Sequence, residues 1–237
     1  MFEEDIAIDP GIHAKRQYTL SQQRNLYLLM AMTLGLALLA ATLAFIFPKV
    51  GEFIERFWAI ALVAGVLAFL LIALCYFLGA FQKQPISLAI YALFTFLFVY
   101  VITYLVLKDK SMLFYFALWI VFLIILGYLI YSHATNTYMS TLVAIMIVVA
   151  AALVVFLVFL IFTHASFLGL LFAMLAAMLF GYYLSYDVRK NTRGTLFDPT
   201  VEEPFSGAVR AWIEPGLVFM RFLEMVGYGC CKHKTSV

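Results

Sequence analysis

The chain has 237 residues, of which 66% are hydrophobic and only 12% are charged, and its mean hydropathy is +1.04. A soluble domain is roughly 45–50% apolar and about 25% charged, so this composition excludes a soluble globular protein and predicts an integral membrane protein in contact with lipid. The formal net charge of +2, with basic residues scattered between apolar runs, argues against nucleic acid as a partner.

Six apolar runs are long enough to cross a bilayer, whose hydrocarbon core of about 30 Å takes about 20 helical residues. In chain order they are Asn25–Phe47, Trp58–Phe81, Ser87–Leu107, Met112–Tyr131, Tyr138–Phe162 and Ala165–Tyr186. A seventh run, Phe205–Gly229, is weaker because it carries charged residues and Pro215. The chain is therefore predicted to be an all-α, polytopic membrane bundle of seven helices, six strong and one polar.

The predicted connections are short, which places successive helices antiparallel as neighbours. They lie at Pro48, 108–110, Thr135–Asn136 and Thr163–His164. The bundle then occupies residues 25–229, between an amino-terminal segment, 1–24, and a short polar tail, 230–237. Segment 1–24 lacks the apolar core of a cleavable signal peptide, so the first span is expected to direct insertion.

Lys and Arg in the short loops predict the orientation of the bundle. With seven spanning helices their number barely differs between the two sides, whereas a re-entrant last segment leaves clearly more of them on the amino-terminal side. A cytosolic amino terminus is therefore predicted, and the side of the tail stays open. In that tail, Cys230 and Cys231 are candidates for reversible acylation, with two unmodified thiols as the alternative.

Aromatic residues make up 17% of the chain but predict no specific function. Phe residues within the spans are typical of packing or lipid contact. Tyr104, Tyr115, Tyr128 and Tyr131 lie toward the ends of predicted spans, where they are expected to act as interfacial anchors.

Two acidic residues are the candidates for a functional site, because an ionisable side chain at bilayer depth costs roughly 2.5–3.5 kcal/mol and is by default paired, hydrated or functional. Asp187 closes the sixth run on the predicted cytosolic side, and Glu214 lies within the seventh run, which starts from that side. Two adjacent carboxylates tend to share a proton, and their oxygens also suit calcium. Tyr182, Tyr183 and Tyr186 are expected to donate hydrogen bonds to the pair.

A structural role is the alternative for each acid. Asp187 is followed by basic residues, so an ordinary interfacial ion pair would also explain it. Glu214 lies four residues after Arg210, a spacing that allows an ion pair along one helix face.

Three stretches resemble the Bax inhibitor motif, or Lifeguard-type, family of seven-helix membrane proteins. "RNLYLLMAMTLGLALLAA", residues 24–41, is similar to the family's first helix with its leading Arg-x-x-Tyr. "QKQPISLAIYALFTFLFVY", residues 82–100, resembles its basic-x-Pro loop and third helix. "YYLSYD", residues 182–187, is similar to the close of its sixth helix, which carries one half of a paired-aspartate site. The resemblance extends over nearly the whole chain in helix number and order.

The resemblance implies a pH-sensitive calcium leak channel of an intracellular membrane, the endoplasmic reticulum or Golgi, that lowers stored calcium and inhibits apoptosis. It implies calcium and protons as the ions concerned, cell-death or calcium-release membrane proteins as possible partners, and no enzyme activity or cofactor. Asp187 matches the first aspartate of the paired site, and Glu214 falls at the position of the second.

The chain departs from the family pattern at three points. Glu214 replaces an aspartate, and Pro215 follows it directly, which favours a kink in the seventh helix. The basic residue that locks the acidic pair from the second helix has no charged equivalent within Trp58–Phe81. Lys83, just beyond that run, and Arg210 are the candidate substitutes.

Other function classes remain as alternatives at this point. Small residues on several runs would also suit a non-conducting interaction protein that regulates cell death through helix-face partners. A proton-coupled transporter is disfavoured because only the Pro215 segment is interrupted. An enzyme is disfavoured because no nucleophile and base or metal constellation accompanies the two acids.

Overall fold

The computed structural model describes residues 10–77, 85–109, 112–135, 139–163 and 166–192, together with Ala208, Val209 and Trp212. Seven helices are described within these residues. They are α1 (Pro10–Ile46), α2 (Pro48–Arg56), α3 (Trp58–Phe77), α4 (Ile86–Lys108), α5 (Leu113–Ala134), α6 (Thr141–Phe162) and α7 (Phe167–Thr192).

The apolar helices confirm a helical membrane bundle. Five helical stretches have the length and hydropathy of a membrane span: Gln23–Ile46, Ile86–Lys108, Leu113–Ala134, Thr141–Phe162 and Phe167–Tyr186. A sixth span is obtained if α2 and the first part of α3 count as one broken span, since they meet at an angle of 71°. All six strong predicted runs thus correspond to helices, while the predicted seventh run lies outside the described residues except at positions 208, 209 and 212.

Helix α1 begins at Pro10, ahead of the predicted first span, and its apolar stretch begins at Gln23, close to the predicted Asn25. One predicted connection is wrong. Pro48 was expected in a tight connection, yet it opens the nine-residue helix α2. Proline suits the first turn of a helix because its fixed φ is helical and its missing N–H has no partner there.

Helix α5 lies at the centre of the bundle and packs against α1, α6 and α7, while α4 packs against α1 and α3. The main core joins fully buried side chains of α1 and α5 to small residues of α6 and α7. On the opposite face of α6 the side chains are strongly exposed, as at Ile161, which is 75% exposed. Exposed apolar faces of this kind are expected of helices that border lipid.

Glycines allow the closest helix contacts. A Cβ atom added at Gly181 of α7 would lie 2.5 Å from Cδ1 of Ile124 in α5, and one added at Gly127 of α5 would lie 2.5 Å from Cγ2 of Ile147 in α6. Side chains at these positions would force the helices apart, so the small residues determine how closely α5 packs against both partners.

Polar caps define the connections at two helix starts. The Asp109 carboxylate accepts a 2.6 Å hydrogen bond from the Phe114 amide in the first turn of α5. Between them, Met112 adopts a left-handed conformation with φ 58°. The Ser140 hydroxyl accepts a hydrogen bond from the Val143 amide at the start of α6. Each cap satisfies an amide that has no partner within its own helix.

Candidate ion site at the Asp187 end of the bundle

Helix α7 does not end at Asp187, as the sequence predicted, but continues to Thr192. The apolar span ends at Tyr186, so Asp187 follows the span directly but lies inside the helix. Basic residues near a helix carboxyl terminus interact favourably with the helix dipole, and Arg189 and Lys190 lie in this last stretch. The polar sequence after Tyr186 therefore belongs, up to Thr192, to a helix that extends beyond the apolar span.

The three tyrosines before Asp187 differ in exposure. Tyr182 and Tyr186 are exposed, at 37% and 48%, whereas Tyr183 is half-buried. The Tyr183 and Tyr186 rings are 6.1 Å apart. The sequence predicted that the hydroxyls of these tyrosines support the acid pair. The Tyr183 side chain is the most buried of the three.

Three residues near the beginning of the predicted seventh run, Ala208, Val209 and Trp212, pack against the bundle. Ala208 and Val209 are completely buried and belong to a core cluster with residues of α3 and α4. The Trp212 ring lies 5.1 Å from the Phe98 ring of α4 and 6.4 Å from the Phe180 ring of α7. These contacts bring residue 212 next to the helix that carries Asp187.

Trp212 also brings a hydrogen-bond donor into this region. Its indole nitrogen is buried and has no acceptor among the residues that the structure describes. Buried N–H groups usually find an acceptor, so this nitrogen retains the capacity to donate one hydrogen bond.

The remaining predicted site residues lie outside the described residues. They are Glu214, the candidate basic partners Lys83 and Arg210, the candidate acylation sites Cys230 and Cys231, and the side chain of Asp187. Among the residues that are described, no group of three or more His, Cys, Asp or Glu side chains is placed to hold a metal ion. The acidic pair therefore stays a prediction from the sequence.

A buried tyrosine pair, which the sequence did not predict, lies near this end of the bundle. Tyr27 of α1 and Tyr128 of α5 are both completely buried, with ring centroids 5.5 Å apart. The Tyr128 hydroxyl donates a 3.2 Å hydrogen bond to the Gly181 carbonyl of α7. The prediction that Tyr128 is an interfacial anchor is wrong, because its ring and hydroxyl link three helices inside the core.

A narrow recess opens beside this pair. It is lined by Gln23, Tyr27, Tyr128, Tyr131, Ser132 and Met139, and it is too tight to enclose a water molecule. At its edge Arg24 donates a 2.7 Å hydrogen bond from Nε to the Ser132 carbonyl, in the last turn of α5. The Arg-x-x-Tyr motif at residues 24–27 is visible in the sequence. It did not predict which helices the Arg24 and Tyr27 side chains contact.

An apolar layer separates the tyrosine pair from the opposite end of the bundle. It is formed by completely buried side chains of α1 and α5: Met30, Leu34, Phe116, Ile120 and Ile124. Beyond it the Thr42 and Tyr115 hydroxyls are 2.8 Å apart. Tyr27 and Thr42 are fifteen positions apart on α1, which corresponds to about 22 Å along the helix. On the α1–α5 side of the bundle, apolar side chains thus lie between polar groups near each end.

A second buried hydroxyl cluster joins α1 to α4. The Thr33 and Tyr91 hydroxyls are 2.9 Å apart, and each also lies within hydrogen-bonding distance of the Leu29 carbonyl, at 3.0 Å and 2.9 Å. The Thr95 hydroxyl is 3.5 Å from that of Thr33. Such hydrogen bonds satisfy polar groups inside the membrane and hold the helices together.

Comparison of the chain with models of protein families, with curated proteins and with solved structures found no match. The similarity to the Bax inhibitor motif family accordingly rests on the residues quoted above.

Proposed function

We propose that this membrane protein is a pH-sensitive, calcium-permeable leak channel of an intracellular membrane, controlled by Asp187 and Glu214. The contact that supports the proposal most directly is that of Trp212 with Phe180, at 6.4 Å. It brings Trp212, two residues before Glu214, against α7, the helix that carries the first of the two acids.

The two acids lie at different distances along the chain from the contact of Trp212 with Phe180. Asp187 follows Phe180 by seven residues, about 10 Å along α7. Glu214 follows Trp212 by two residues. Two carboxylates at close range share a proton at low pH and bind a divalent cation when both are ionised. Lys83 or Arg210 would stabilise the ionised pair in a closed state.

The described helices supply a barrier that fits such a channel. In the proposed channel, the apolar layer of α1 and α5 would prevent ion passage until the helices separate enough to admit water. Protonation of the acids would change the relative population of closed and hydrated forms, because only the ionised pair attracts a basic partner. Release of stored calcium through this path would lower the store and inhibit apoptosis, as the family resemblance implies.

Calcium influx into liposomes tests the proposal. The purified protein is reconstituted with an enclosed calcium dye, and the parent is compared with Asp187→Asn and Glu214→Gln from mildly acidic to neutral pH. Glu52→Gln is the matched control, since Glu52 is an exposed acid on α2. We expect a pH-dependent influx in the parent and in the control, and a shifted or abolished pH response in both site variants.

Two outcomes would contradict the proposal. Influx that keeps its size and pH dependence in both site variants would show that the acids do not control it. Absence of influx from every folded variant, together with a membrane protein that co-purifies with parent and site variants alike, would favour the non-conducting interaction protein.

A further inference from the structure

Helix α2 separates its polar and apolar residues onto two faces. Val50 and Phe53 fall within one narrow arc at 100° per residue, and Phe57 follows as the carboxyl cap; the three side chains are 46%, 59% and 39% exposed. On the opposite arc are four exposed charged residues: Lys49, Glu52, Glu55 and Arg56. A short helix with exposed apolar and charged faces is typical of an amphipathic surface helix.

The protein holds α2 through a different side of the helix. A Cβ atom added at Gly51 would lie 3.1 Å from the Ala44 carbonyl of α1 and 3.8 Å from Cδ2 of Leu107 in α4. This contact places α2 across the ends of two spanning helices, which terminate at Ile46 and Lys108. The apolar arc of α2 is left turned away from the bundle.

For an α3 that runs along the bilayer normal, its angle with α2 places α2 close to the membrane plane. The two helices meet at 71°, and α3 runs into the bundle as an apolar helix. A helix inclined by that much to a spanning helix cannot itself cross the bilayer in nine residues, which extend only about 14 Å. Entry of α2 into the hydrocarbon as a re-entrant loop would also carry its charged residues there, which is costly.

We propose that α2 is an interfacial helix whose apolar face, Val50 and Phe53 with Phe57 at its carboxyl cap, inserts between the headgroups and acyl chains of the adjacent leaflet. Phospholipid is the occupant of this face because the face continues into the exposed start of α3, where Trp58 is 59% exposed. Tryptophan is enriched at that depth of a bilayer. The anchor holds the start of α3 at the membrane boundary.

The charges of α2 specify which lipids it accepts. Its two acidic and two basic side chains cancel, so the helix has no net attraction for anionic headgroups. Binding is expected to depend on the buried apolar face and not on the headgroup charge. This inference holds whether or not the protein conducts calcium.

Site-directed fluorescence tests the placement of α2. In the full-length chain with Cys75, Cys230 and Cys231 replaced by Ala, an environment-sensitive dye is attached to Phe53→Cys or, as the matched control, Glu52→Cys. The proteins are reconstituted in zwitterionic and in anionic vesicles. We expect the dye at position 53 to emit at shorter wavelength and to be quenched by lipids with a shallow nitroxide, and the dye at position 52 to be quenched by aqueous iodide, equally in both vesicles.

Three results would overturn the inference. Equal iodide quenching at both positions would place the whole helix in water. Quenching at position 52 by deep nitroxide lipids would make the segment re-entrant. A protected position 53 that lipid nitroxides do not quench, with disulfide formation between copies, would make the face a protein contact. The pair Val50→Cys and Glu55→Cys repeats the comparison if a first variant does not fold.

Discussion

Single residues with unusual backbone or hydrogen bonding explain several local features of the bundle. Met112 is, among the described residues, the one non-glycine residue with positive φ, and the Asp109 cap holds the turn around it. A residue with a Cβ atom in this conformation costs roughly 1–2 kcal/mol. The α4–α5 connection is therefore stabilised by its cap and destabilised by its own Met112.

Replacement of Met112 by glycine should stabilise the protein, because glycine adopts positive φ without strain. We expect Met112→Gly to raise the free energy of unfolding in detergent by about 1 kcal/mol. The control is Met32→Gly, at an exposed position inside α1, where glycine should lower it by about 1 kcal/mol. Equal destabilisation by the two substitutions would contradict the strain at residue 112.

Loss of the Tyr128 hydroxyl should weaken the link between α5 and α7. We expect Tyr128→Phe to lower the free energy of unfolding by about 0.6 kcal/mol and by no more than about 1.7 kcal/mol, the range measured for hydrogen bonds between membrane helices. Tyr131→Phe is the control, since no hydrogen bond of its hydroxyl is described and its ring is only partly buried. Indistinguishable unfolding of the two variants would show that the bond to Gly181 contributes nothing.

At the scale of helices, the sequence predicted the spans well and their ends poorly. Hydropathy averaged over about 20 residues detects segments long enough to cross the hydrocarbon, and each of the six strong runs corresponds to a helix. It does not report where a helix ends in water, and α7 therefore extends past Asp187 to Thr192. Helix α2 was missed because nine amphipathic residues are too few and too polar to register as a span.

The close contact of α7 with α5 should be sensitive to one methyl group. We expect Gly181→Ala to lower the free energy of unfolding by about 1–3 kcal/mol, because the new Cβ atom would overlap Ile124. Gly65→Ala is the control, since the nearest atom to its Cβ position is 3.8 Å away. Thermal unfolding in the same detergent measures both, and equal stability of the two variants would mean that the helices can separate without cost.

At the scale of the whole molecule, the sequence identified the candidate acids. It did not predict the contacts of Trp212 with the bundle. Asp187 and Glu214 stood out because charges are rare in apolar runs, and this signal needs no structure. The contacts of Trp212 with Phe98 and Phe180 depend on residues more than 30 positions apart, and no spacing rule predicts them. The buried Tyr27 and Tyr128 were equally hidden, because tyrosines near span ends usually face the interface.

The apolar layer of buried side chains from α1 and α5 leads to a prediction for the proposed channel. Leu34→Ser would place a hydroxyl among completely buried apolar side chains and favour hydration of the layer. We expect calcium influx at neutral pH to increase several-fold and to depend less on pH. Leu36→Ser, at a position 49% exposed on the outer surface of α1, should leave influx unchanged. Unchanged influx in both folded variants would locate the barrier elsewhere.

The coupling of the two acids is the most direct test of the account. The pH dependence of calcium influx is measured in liposomes for Asp187→Asn, Glu214→Gln and the double variant. If the acids form one titrating unit, each single variant removes the pH response and the double variant changes it no further. Independent shifts that add in the double variant would contradict a shared gate, as would a parent protein whose calcium influx does not respond to pH.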